Sequence, residues 1–292
     1  MATQRASKLN WLERNLPEGL LVDASWLAKH GYSTSLRSKY VNAGWLEQPA
    51  RGVYRRARGS LSWQQVVISL QALLHSPLAV GGRTALEQQG YAHYLPQESK
   101  EVHLYGAKRP PKWVNELGLG TRFVYHNDRA LFRNEVVTKV ARLEWSPAKE
   151  TDSAKTALAE NLTIQSWGQW QWPMTLSSPE RAILELLGEL PKHESFHQAD
   201  MLMEGLANLR PRQLQKLLED CRNVKVKRLF FFFADRHPHA WLKKPSASEA
   251  PRRGTFGRIN LKTASAAENT PRIAPLPSGG ASASAAIPPS NA

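Results

Sequence analysis

The chain is 292 residues long, carries 39 Lys and Arg against 25 Asp and Glu, and has a formal net charge of +14. That length holds one large domain or two ordinary ones, and the charge favours a polyanionic partner. A single cysteine, Cys221, excludes an internal disulfide and points to a reducing compartment, the cytoplasm. The longest apolar run, LFFFFA at 229–234, falls well short of the roughly 18 residues that cross a bilayer. The start, MATQRASKLNWLERNLPEG, has neither the apolar core nor the cleavage site of a secretion signal.

Residues 1–58 hold ten Lys and Arg against four Asp and Glu and read as a winged helix-turn-helix. SKLNWLERNL sets Leu9, Leu12 and Leu16 on one face and predicts a first helix, ended by Pro17. LLVDASWLAKHG predicts a second, short helix, capped by Asp23 or Ser25 and stopped at Gly31. Ser33 caps a third, in which Leu36 and Tyr40 face inward. Thr34, Arg37, Ser38 and, to a lesser degree, Val41 then point away from the bundle. Hydroxyls and an arginine on one face suit base edges and phosphates in a major groove. Trp45 and Leu46 open a strand, QPARG turns, and Val53-Tyr54-Arg55-Arg56 returns as the wing. The expected DNA contacts are Ser33, Thr34, Ser35, Arg37, Ser38 and Lys39 on the helix, with Arg51, Arg55 and Arg56 on the wing. The plainer reading is a three-helix bundle with a solvated basic hairpin. Agreement of helix, turn, helix, hairpin and charge within sixty residues favours DNA binding.

Residues 59–243 read as a mixed α/β domain rich in helices, which makes the fold class α+β. WQQVVISLQALL predicts a helix, GGRTALEQQG a glycine turn into another, and EVHLYG, TRFVYH and NEVVTKV strands. SSPERAILELLGEL, SFHQADMLMEGL, RPRQLQKLLEDC and VKRLFFFFADRH all show helical spacing. From residue 244 the composition changes. Of the last 29 residues, 21 are Ala, Pro, Ser or Gly, which predicts a disordered tail over 244–292.

GGRTALEQQG lacks the glycine spacing and Lys-Ser/Thr end of a phosphate-binding loop. Gly81 and Gly82 therefore read as a tight strand-to-helix turn, packed by Ala85 and Leu86. In LSSPERAILELL, Ser178 caps, Pro179 takes the first helical position and Glu180 meets the positive end of the helix dipole. Arg181 suits a structural ion pair better than a partner. Lys225, Lys227 and Arg228 beside the phenylalanines form a candidate functional patch. Nine histidines with one cysteine assemble no closed zinc set, so neither metal nor cofactor is expected. Glu98-Ser99-Lys100 matches only half of a nuclease motif, and no catalytic residue is assigned.

GWLEQPARGVY, AVGGRTALEQQGYAHYL, LSSPERAILELL and NVKVKRLFFFFADRHPHAW, in that order, resemble AbiEi-type antitoxins of bacterial type IV toxin–antitoxin (abortive infection) systems. The resemblance runs from about residue 8 to about residue 242; past Trp241 the chain departs from the basic, strand-rich close of that family. It implies an N-terminal winged helix that represses the operon at operator DNA. It also implies a C-terminal domain that counteracts a nucleotidyltransferase-like toxin, without requiring a stable complex. The antitoxicity patch is expected at Arg181, Lys225, Lys227 and Arg228. The rival readings are a winged-helix regulator with a ligand-sensing C-terminal domain and no toxin, and a nuclease-like or nucleotide-binding enzyme positioned by its winged helix.

Overall fold

Pro17 cannot continue a helix, and α1 (Ala2–Asn15) ends just before it. Leu12 and Leu16 are fully buried beneath it. The computed structural model describes residues 2–56, 59–91, 100–134, 161–237 and 239–242. The strand expected in NEVVTKV (all but Asn134), Glu98 and the tail at 244–292 lie outside the described residues.

Leu21–Asp23 is a strand, β1, and not the start of the second helix. Leu20, Leu21 and Val22 are all buried, and a strand covered on both faces is a continuous apolar run that periodicity alone cannot tell from a helix. α2 (Ala24–Lys29) begins where the Asp23 side chain accepts from Trp26 N at 2.7 Å. α3 (Thr34–Asn42) follows, its cap made by Ser33 Oγ accepting from Leu36 N at 3.3 Å. β2 (Glu47–Ala50) and β3 (Val53–Arg55) form the hairpin, so Gln48, Pro49 and Ala50 belong to a strand and the turn is only Arg51-Gly52. Gly52 sits there at φ +75°. The sheet order is β1-β3-β2, antiparallel throughout. Helix, strand, helix, helix and hairpin, with the lone strand completing the hairpin's sheet, make a winged helix.

α4 (Trp63–Ile68) starts on a reciprocal Ser62–Gln65 capping box and runs on as a wider turn over Ser69–Leu73. Ser69 Oγ accepts from Leu21 N at 2.8 Å, which ties this helix to β1. A second sheet follows in the order β6-β5-β4-β8-β7. Its strands are β4 (Leu78–Val80), β5 (Glu101–Gly106), β6 (Arg122–Asn127), β7 (Leu162–Trp167) and β8 (Trp172–Ser177). β4 meets β8 in parallel at a single residue pair, Val80 and Leu176. The Gln71 amide strengthens that join by bonding Leu78 O, Thr175 O and Thr175 N at 3.0, 3.0 and 2.9 Å.

α5 (Gly82–Gln88) and α6 (Pro179–Glu189) pack together beside the sheet. α7 (Phe196–Gly205), α8 (Pro211–Asp220) and α9 (Val224–Arg236) surround α6. Every α6 residue from Glu180 to Leu187 is buried, as expected of a helix enclosed on all sides.

Candidate nucleic-acid interface

The exposed face of α3 carries Thr34, Ser35, Ser38 and Lys39, with Ser33 exposed at its cap and Arg51 exposed at the hairpin turn. Ala24, at the start of α2, joins these two elements. Its N–H donates to Gly52 O at 2.7 Å, and its carbonyl accepts from Arg37 Nη1 at 2.8 Å. One residue thus registers the turn of the wing against α3.

Arg37 was placed by its spacing on the outward face; the structure folds it back. It is 8% exposed, its Nη2 donates to Thr34 Oγ1 at 2.8 Å, and its guanidinium lies 5.8 Å from the Tyr54 ring. Three positions before Tyr40, it shares that residue's side of the helix, and the small Ala24 leaves room for the guanidinium. Leu36 is only half-buried, while Tyr40 is buried as expected.

Arg55 is buried and Arg56 half-buried, and both are paired within the fold. Arg55 stands opposite Glu47 in the hairpin register, and its Nε donates to Glu47 Oε2 at 2.8 Å, a cross-strand charge pair. Arg56 donates to Glu13 O and Leu16 O at 3.0 and 3.2 Å, satisfying carbonyls at the end of α1, and pairs with Glu18 at 3.2 Å. Of the three expected wing cations, Arg51 alone is exposed.

The two glycine- and serine-led motifs of the second domain meet in one buried hub. Glu185, fully buried, accepts from Gly82 N at 3.0 Å, Ser177 Oγ at 3.0 Å and Arg181 Nε at 2.8 Å. Burial nevertheless pushes its carboxyl up, against the opposing pull of Arg181. A Cβ on Gly81 would lie 2.3 Å from Glu185 Oε2, so the first glycine is needed for this close approach. The second, at φ +53°, makes the left-handed turn into α5.

Arg181 belongs to this hub and is removed from the expected surface patch. It is fully buried, 3.7 Å from Asp128 Oδ2 and 4.5 Å from the Phe132 ring centroid. Glu180 accepts from Arg210 N, Nε and Nη2 at 2.8–3.0 Å. Burial alone would raise its carboxyl, but these donors hold it below the usual range.

α9 divides the remaining patch residues. Lys225 donates to Leu190 O, Arg228 is exposed, and Lys227 is half-buried on another side of the helix. Phe230 and Phe233 are core; Phe232 is 53% exposed, with Arg236 5.8 Å from its ring centroid. His237 and His239 bond separate partners, Asp200 and Met203 O, at 2.8 Å each.

A polar cluster missed by motif reading lies where β5 and β6 meet the end of α6. His103 Nδ1 and His126 Nε2 are 2.9 Å apart, and His126 Nδ1 is 2.9 Å from Glu189 Oε1. These residues are up to 86 positions apart in sequence, so no local pattern signals them. Burial, with His126 adjacent, lowers His103 to about 4; burial raises the nearby Glu194 to about 7. Among the described residues, no three His, Cys, Asp or Glu side chains converge as metal ligands. Nor is any described helix long and apolar enough to cross a membrane.

No curated protein matches the sequence. The RV2827C protein of Mycobacterium tuberculosis is similar in structure, with a TM-score of 0.48 and 16% identity over 81% of this chain and 78% of that one. Residues 5–97 match the N-terminal domain of the transcriptional regulator AbiEi antitoxin, and residues 99–254 match the transcriptional regulator AbiEi antitoxin of type IV toxin–antitoxin systems. The chain belongs to the AbiEi family of antitoxin transcriptional regulators.

Proposed function

We propose that the chain represses its own operon by binding operator duplex and counteracts a nucleotidyltransferase-like toxin encoded beside it, acting in the cytoplasm and without catalysis or a cofactor. The observation that carries this reading is the exposed row Thr34, Ser35, Ser38 and Lys39 on α3, held in register with exposed Arg51 through Ala24. Hydroxyls at that spacing bond base edges or phosphates, and Lys39 and Arg51 supply backbone charge. Arg37 acts beneath this face as a positioning residue, while Arg55 braces the hairpin and Arg56 the end of α1. Antitoxicity is assigned to the second domain, with Lys225 and Arg228 on the exposed side of α9 and Lys227 apart from them.

The test pairs a promoter reporter with growth rescue in cells expressing the neighbouring toxin. Lys39→Ala/Arg51→Ala derepresses the reporter and weakens binding to operator and random duplex alike, while rescue persists. With two phosphate contacts removed, the slope of log affinity against log salt falls by about two. Unchanged repression by that double variant refutes the docking face, and rescue lost together with repression refutes the separation of activities.

A further inference from the structure

The β7–β8 hairpin ends on a cross-strand pair, Trp167 and Trp172, with ring planes 21° apart and centroids 6.2 Å apart. Trp172 is buried and completes the core beneath Gly19. The loop between them holds Trp170, which is 58% exposed. Its neighbour Gln171 takes φ +52°, a left-handed conformation unusual for a residue with a side chain.

These three indoles line a cleft of about 210 Å³ together with Glu18, Gln65 and Gln169. Its walls come from two parts of the chain. Glu18 and Gln65 lie in the region matching the family's N-terminal domain, and the tryptophans lie in the antitoxin region. Glu18 is paired with Arg56, so its charge is compensated and the cleft is not built for a bare cation. What remains is aromatic wall, chiefly the exposed ring of Trp170 and the half-buried ring of Trp167, with the exposed Gln169 amide at its rim. Indole faces stack planar heterocycles, and amides match edges that carry both donors and acceptors.

We propose that this cleft binds a purine ring, supplied either by a free nucleotide or by an unpaired base of a single strand. It is separate from the duplex-binding face: Arg56, which reaches Glu18, follows β3, whereas the Arg51-Gly52 turn precedes it. Because its walls belong to both matched regions, the bound ring bridges the DNA-binding unit and the antitoxin domain. The site stands independently of which promoter or toxin the protein acts on.

Full-length protein is titrated with AMP, GMP, UMP and a ten-nucleotide oligoadenylate, followed by ligand-detected NMR and calorimetry. AMP and GMP bind, UMP binds more weakly, and Trp170→Ala weakens purine binding about tenfold, the loss expected for one stacked base. The exposed position of Trp170 leaves the melting temperature of that variant unchanged, which separates loss of stacking from loss of fold. Oligoadenylate bound more than tenfold tighter than AMP assigns the ring to a single strand, and equal affinities assign it to a free nucleotide. No binding by any probe at millimolar concentration overturns the proposal, as does purine binding that Trp170→Ala leaves intact.

Discussion

Replacing Arg37 with methionine removes a guanidinium but keeps an unbranched stem in its place against Tyr54. The wild-type side chain makes two charged hydrogen bonds of 2.8 Å, to Ala24 O and Thr34 Oγ1. Bonds of this kind contribute about 1.5–3 kcal/mol each when both partners are buried. Here the gain is smaller. The Thr34 hydroxyl is exposed and can bond water, and Arg37 Nε is buried without a hydrogen-bond partner, a cost that methionine relieves. A net loss of about 2 kcal/mol follows. For a folded body of this size, that lowers the melting temperature by about 4–8 °C.

The functional consequence separates a positioning role from a reading role. If Arg37 fixes α3 against the turn of the wing, Arg37→Met weakens binding to operator and to random duplex by the same factor. A base-reading arginine would instead lose about 1–3 kcal/mol on the operator alone. Scanning calorimetry gives the first quantity, and fluorescence anisotropy on the two duplexes gives the second. An unchanged melting temperature with a loss confined to the operator would refute the buried placement as the functional one.

Gly81→Ala drives a Cβ to within 2.3 Å of Glu185 Oε2 and 2.4 Å of Tyr105 Cδ2. Overpacking of this kind costs about 3 kcal/mol, and a urea midpoint equal to wild type would contradict it. The polar cluster predicts opposite pH dependences for two of its members. Glu194, raised from 4.5 to about 7, contributes stability below pH 4.5 that is lost as pH rises through 7. His103, lowered from 6.5 to about 4, contributes stability above pH 6.5 that is lost as pH falls through 4. Relative to wild type, Glu194→Gln therefore gains melting temperature between pH 5 and 6.5, and His103→Asn loses it; slopes of the same sign rule this out.

What the sequence shows well is what local chemistry controls. Asp23, Ser33 and Ser178 each cap the helix their residue type announces, because a cap is satisfied within three residues. The apolar faces of α6 and α8 are legible for the same reason. β1 was hidden by its burial on both faces. The β7–β8 hairpin was hidden by Pro173, whose place near the start of β8 is tolerated because β4 pairs with that strand only at Leu176. Charge was the least reliable guide. Arg37, Arg55 and Arg56 look like surface cations in sequence, yet each finds a partner fixed by tertiary packing: a carbonyl, a cross-strand glutamate, a helix end; Arg181 makes the structural ion pair its setting suggests. Arg37, three positions before Tyr40, lies on that residue's side of α3, where its guanidinium reaches Ala24 O.

The same packing bears on where the winged helix ends. The charge and motif pattern changes near residue 58, but α4 continues the core past that point. Leu21 N donates to Ser69 Oγ, and Val66, Val67, Ile68 and Leu70 are all at most 1% exposed. A cut at residue 58 removes β1 from beside this helix and bares part of that apolar face, at roughly 25 cal/mol for each Å² exposed. On its other side α4 is tied to the second sheet, where Gln71 bonds both β4 and β8. Among the described residues one apolar core runs from α1 through α4 to the helices around α6, and Trp172 beside Gly19 is part of it. Through α4 the second sheet is thus joined to β1, and through β3 to the Arg51-Gly52 turn of the wing.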